Sequence, residues 1–163
     1  MSAELQREVQ TRGITRVCHF TQSRNLVHIA GDPEGVKSTK TLQADQNACF
    51  TATDAKRIDG YTDHVCCSIE FPNAWYLARA EAKENLFKDW VVLFVSPDYL
   101  WNPDTRFCAR NAAASRGIYV VKGFAGFQSL FAQEVNGAGG KTWQRLGGHL
   151  ACRHLLLSNC QLG

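Results

Sequence analysis

HVCCSIEFPNAWYLARAEAKENL, residues 64–86, decides the fold class. Its opening, His64–Phe71, is mostly small and apolar, which is the composition of a central strand covered on both faces. Pro72 has no N–H to donate and ends the ladder. Asn73 then reads as a helix cap, with Trp75, Leu77 and Ala78 meeting Ala82 and Leu86 at helical spacing. Glu81, Lys83 and Glu84 fall on the opposite, solvated face. A strand feeding straight into an amphipathic helix predicts a layered α+β domain.

The flanks extend that reading. Downstream, Trp90–Val95 (WVVLFV) is the clearest buried strand, closed by Ser96 and Pro97. Upstream, Ile14–Phe20 (ITRVCHF) is a strand between Gly13 and Thr21, and Ser23–Ile29 begins a helix. Gly31–Thr39 is turn chemistry. Asn47–Thr53 is a strand or an ordered loop, and Asp54 caps a short turn carrying Lys56 and Arg57. Phe127, Leu130 and Phe131 place a helix at Phe124–Phe131 despite Gly126. After Asn136, five glycines up to Gly148 break any regular element. The expected division is therefore a body, residues 1–134, and a Gly-rich, poorly specified tail, residues 135–163.

The 163 residues are 45% hydrophobic, enough for one domain with its own core. No apolar run approaches the length of a membrane span, so no membrane association is expected. Eighteen Lys+Arg against 15 Asp+Glu give a formal charge of +3. Lys141, Arg145 and Arg153 all follow Glu134, the last carboxylate, so the body is electrically balanced. That excludes a diffusely basic nucleic-acid binder and leaves only local basic surface. Seven cysteines at irregular spacing, with no signal-peptide pattern, predict reduced thiols and a cytoplasmic location. His149, Cys152, His154 and Cys160 match no common zinc spacing, so no metal is expected.

The usual catalytic signatures are missing: no GxSxG elbow, no phosphate loop, no HExxH. Gly137–Lys141 (GAGGK) is too short for a phosphate loop and has no strand leading into it. What remains is a polar set at strand ends and in loops. His19 and Thr21 form HxT at the end of the first strand, with Asn25 one turn further on. Arg57 lies between Asp54 and Asp59, and Arg110 and Asn111 follow Cys108 in FCARNAA. Taken singly, a strand-end histidine is more often structural, and Arg57 more often a surface ion pair.

ITRVCHFTQSRNLVHI, TDAKRIDGYTDHVCCSIEFPNAWY, KDWVVLFVSPDYLW and FCARNAAA together resemble the DarT family over about residues 13–135. These are toxin-type enzymes that ADP-ribosylate DNA. The resemblance implies an ADP-ribosyltransferase-like split mixed β-sheet, with flanking helices around a central NAD cleft. It implies NAD as co-substrate, a base in single-stranded DNA as acceptor, and a DarG-like antitoxin partner that removes the ADP-ribose. By position, His19 and Thr21 match the motif that anchors the nicotinamide end of NAD, and Asn25 a residue that also faces it. Residues from about 43 to 57 correspond to the segment that folds over the dinucleotide. Arg57 matches an arginine that helps activate the target base, and the stretch from Cys108, with Arg110 and Asn111, corresponds to the loop that presents DNA.

The residue types suit that chemistry. Loss of nicotinamide leaves positive charge on the ribose, as in glycoside cleavage, so the site must orient hydroxyls and hold the leaving amide. Arginine is too weak a base to take a proton, which gives Arg57 an electrostatic role toward the base or a pyrophosphate. Tyr61, Trp75 and Tyr119 are possible stacking surfaces. The sequence departs from the family in one respect: it lacks the late-strand glutamate of a QAEV-like motif, and Glu134 in FAQEV falls too early. A truncated or frame-shifted tail would explain this and would leave the chain inactive. The other readings are a non-catalytic NAD- or DNA-binding remnant and a transferase acting on RNA or protein.

Overall fold

The structure, a computed structural model, describes residues 2–136 apart from 47, 49 and 55, together with 142–144 and 154–157. Gly137–Lys141, Arg145, His149, Cys152, Arg153 and Cys160 lie outside the described residues. The chain runs α1 (Ala3–Thr11), β1 (Val17–Gln22), α2 (Leu26–Gly31), α3 (Thr39–Ala44), β2 (Val65–Ile69), α4 (Ala74–Lys83) and β3 (Trp90–Val95). It continues with β4 (Arg106–Cys108), β5 (Val121–Lys122), α5 (Gly123–Ser129), β6 (Glu134–Asn136), β7 (Thr142–Gln144) and β8 (His154–Leu157). The architecture is α+β. Six strands form one sheet in the order β3-β1-β2-β8-β4-β5, its ladders antiparallel, and β6 and β7 pair separately.

The sheet is split at one place. β1 pairs with β3 along its whole length, from Val17 opposite Val95 to Gln22 opposite Trp90. On its other side it pairs with β2 only at Val17 opposite Ile69 and Cys18 opposite Ser68. From His19 onward the two strands part, and a cleft opens between their diverging ends. Glu70, at a φ of 62°, turns the chain out of β2, and its carboxylate accepts from the Arg16 backbone N–H at 3.2 Å. That holds the paired end of the two strands shut while the other end is open.

α4 starts where expected, with the Asn73 side chain accepting from the Tyr76 N–H at 2.9 Å. It stops at Lys83, three residues before Leu86. Glu84 is extended there, and its carboxylate accepts from the Leu86 N–H and from Gln22, which turns the chain toward β3. β3 keeps its predicted bounds but is not enclosed. It lies at the sheet edge, and Phe94 is 57% exposed beneath the Arg16 guanidinium, 4.7 Å from the ring centre. An apolar run does not distinguish an edge strand with one covered face from a central one.

The polar N-terminal segment forms α1, capped by Ser2, which buries Leu5 and Val9 against the turn Pro97–Trp101. Three rings, Phe107, Phe127 and Phe131, stack edge to face or tilted with centroids 5.1–5.5 Å apart, joining α5 to the sheet. Gly126 is required in that contact, because a Cβ there would lie 2.4 Å from the Val121 carbonyl oxygen. β8, from the segment expected to be irregular, is inserted between β2 and β4, with Leu156 and Leu157 fully buried.

Candidate active site

The cleft has a volume of about 460 Å³. His19, Thr21, Asn25 and Arg57 all line it, so one short stretch, residues 19–25, and the distant Arg57 converge. β1 brings the first two and the 3-10 turn Ser23–Asn25 brings the third. Arg57 comes from the loop before β2.

His19 stands where the backbone ladder stops. Its Nδ1 lies 2.9 Å from the Cys66 carbonyl oxygen, a pure acceptor, so the ring donates from Nδ1. The neutral imidazole therefore carries its acceptor at Nε2. Burial holds its pKa below the ordinary histidine range, and the Cys66 bond offsets this only in part. The Thr21 hydroxyl accepts from Asn25 Nδ2 at 2.9 Å, which leaves its own hydrogen to donate.

Arg57 is held in a cage. It is a buried residue at a φ of 37°, an uncommon conformation for a side chain of this size. Its Nε donates to Asp59 Oδ1 at 3.2 Å and one terminal nitrogen to Asp59 Oδ2 at 3.3 Å. That nitrogen also donates to the Tyr61 carbonyl, and the other donates to the His64 carbonyl at 2.6 Å. A guanidinium has five N–H donors, and four are committed here. Of the two partners the sequence offered, Asp54 and Asp59, the pair is made with Asp59, and it is interior, with both side chains about 95% buried. Burial opposes the charge and Cys66 and Asp59 favour it, with the balance upward.

The floor and far wall carry groups that pattern reading did not single out. Burial pushes the Cys66 thiol up to about 12, against the pull of Arg57, so it is a neutral, inert thiol. Burial first and the Asp54 carboxylate second push the Tyr76 phenol up to about 12. Both act as neutral polar groups. Asp59 itself carried one signal, a carboxylate two residues from an arginine beside a glycine turn, but nothing in the sequence marked the pair as buried.

Arg110 and Asn111 do not line the cleft. Arg110 stacks on Tyr119 at 4.3 Å, and exposed Asn111 accepts from the Ala113 N–H in a tight turn. Their loop reaches the site by another route. Ser115, Arg116 and Gly117 all have positive φ, making a left-handed turn, and Gly117 packs directly on the Arg57 cage. A Cβ at Gly117 would sit 2.4 Å from the Asp59 carbonyl oxygen and 3.1 Å from the Tyr61 ring. Of the three candidate stacking rings, Tyr61 is covered by Arg106, Tyr119 by Arg110 and Trp75 by Arg79.

Glu134 is exposed on β6 and does not line the cleft. β8, the late strand inserted beside β2, reads His-Leu-Leu-Leu and carries no carboxylate. Among the described residues, no group of three or more potential metal ligands gathers.

No curated protein matches the chain. Residues 18–145 match the family described as ssDNA thymidine ADP-ribosyltransferase, DarT, a span that takes in the split strands, the Arg57 cage and the left-handed turn. The chain belongs to the DarT family.

Proposed function

We propose that this chain binds NAD in the cleft between β1 and β2 and transfers its ADP-ribose to a base in single-stranded DNA, a thymidine by the family's description. The observation that carries the reading is the parting of β1 from β2 at His19. It creates a cleft whose polar groups have unused capacity of the right kind. His19 Nε2 accepts a ribose hydroxyl, Thr21 donates its hydroxyl hydrogen, and Arg57 has one N–H left beyond its cage. The transfer breaks the bond from ribose to nicotinamide and makes one to a base nitrogen, which loses its proton. The caged guanidinium stabilises negative charge on that base without moving, and the cage fixes its direction. Arg110 and Asn111, on the loop that rests against the cage, face the DNA strand.

Radiolabelled NAD with single-stranded oligonucleotides tests this, with RNA and protein as competing acceptors. Label is expected in DNA and lost in His19→Ala. Absence of both transfer and calorimetric NAD binding overturns the assignment.

A second reading rests on β8. With no carboxylate on that strand and Glu134 outside the cleft, the chain would hold NAD or DNA without turnover. Retained NAD binding with no labelled DNA selects it. In the toxin–antitoxin setting of the first reading, the partner is an enzyme that removes ADP-ribose, and co-expression with such a hydrolase is expected to erase the label.

A further inference from the structure

Asn25 has both amide N–H groups and one of its two acceptor positions committed. It is nine-tenths buried, and its side-chain amide makes three bonds. Nδ2 donates to Thr21 Oγ1 at 2.9 Å and to the Thr51 carbonyl at 3.1 Å, while Oδ1 accepts from the Thr51 N–H at 3.3 Å. The last two bonds reproduce, from a side chain, what a neighbouring strand would offer one residue of a ladder. Thr51 has no strand partner, since no strand is described between β1 and β2. Its backbone groups therefore find their partners in a residue 26 positions earlier.

Residues 50–54 line the same cleft as His19 and Thr21. Asn25 ties that wall to Thr21 through one planar amide, so the width of the cleft is set where the tie is made. We infer that Asn25 is a positioning residue: it fastens residues 50–54 as a wall of the cleft and sets affinity for the dinucleotide through that wall. This rests on the proposal that the cleft takes NAD.

Hydrogen exchange and calorimetry on the full chain test it. Asn25→Asp keeps the size and the acceptor for the Thr51 N–H but removes both donated bonds, and Asn25→Ala removes all three. The Thr51 amide, which loses its acceptor only in Asn25→Ala, is expected to exchange about tenfold faster there and less than that in Asn25→Asp. Amides of the β1–β3 ladder should be unchanged, which shows that the fold is intact. NAD affinity is expected to fall about tenfold in parallel. Unchanged exchange at Thr51 in both variants overturns the fastening, and faster exchange with unaltered NAD affinity overturns the positioning role. A wild-type chain that binds no NAD overturns the role together with the proposed function, and is recognised by its own calorimetric trace.

Discussion

The Arg57 cage and the Arg110 loop each place an arginine near the same site, and they are built in opposite ways. Arg57 is interior, with four of its five donors fixed by a carboxylate and two carbonyls. Arg110 lies flat on an aromatic ring in a loop whose next residue is exposed. One guanidinium is held to a single direction by bonds that cannot be remade without opening the core. The other rests on a ring at a half-buried position in a surface loop. A reaction that needs a fixed charge and a variable polymer uses both kinds of support.

Removing the carboxylate of the cage breaks this comparison most severely. Asp59→Ala leaves a buried guanidinium with only carbonyls around it, and about 3–5 kcal/mol of stability should be lost in urea denaturation. A loss below about 1 kcal/mol would show that the cage is not held by its ion pair. Gly117→Ala tests the contact between the two regions. Its Cβ would collide with the Asp59 carbonyl and it would hold a strained φ of +83°, for a cost of about 1–3 kcal/mol. Wild-type melting together with unshifted Tyr61 and Asp59 amide resonances would refute that contact.

His19 sharpens the comparison through pH. Its folded pKa lies below the ordinary value of 6.5, so the unfolded chain takes the proton first. The stabilisation is therefore full above about pH 6.5 and is lost as pH falls toward the folded value. His19→Gln should flatten the acid limb of the melting profile between about pH 8 and 5, and an unaltered limb would assign it to another group. The smallest effect on stability belongs to Arg110→Ala. A cation–π contact at an exposed site is worth about 0.5–1 kcal/mol, so melting should barely move. Single-stranded DNA affinity should nevertheless fall, with a salt slope lower by about one. Unchanged affinity and slope would remove Arg110 from the DNA path.

The same contrast separates what the sequence revealed from what it did not. β3 and α4 were legible because a continuous apolar run, a proline stop and an asparagine cap act over a few residues. His19, Thr21, Asn25 and Arg57 reached a common cleft through their resemblance to a family, not through any local pattern. The parting of β1 from β2 depends on where a ladder stops, and no residue in either strand announces it. Arg57 looked like a surface pair because its partner is two residues away, whereas its burial comes from the β2 end and the 115–117 turn. α1 lies in a segment whose polar residues mask its apolar spacing, although Leu5 and Val9 are four apart on one face. β8 is hidden because four residues are too short for a period, and tertiary pairing on both sides makes up for it.

β8 also governs the order in which the sheet can assemble. It is the last of the described strands in the chain, yet it lies between β2 and β4 and joins the β3-β1-β2 half to the β4-β5 half. Until residues 154–157 leave the ribosome, no ladder connects the two halves. The ladders within each half lie wholly within residues 17–122, so they can form before β8 is made, and β8 closes the two halves onto one another last. The split that opens the cleft and the turn that packs on Arg57 are thus brought into one sheet by a strand made after both.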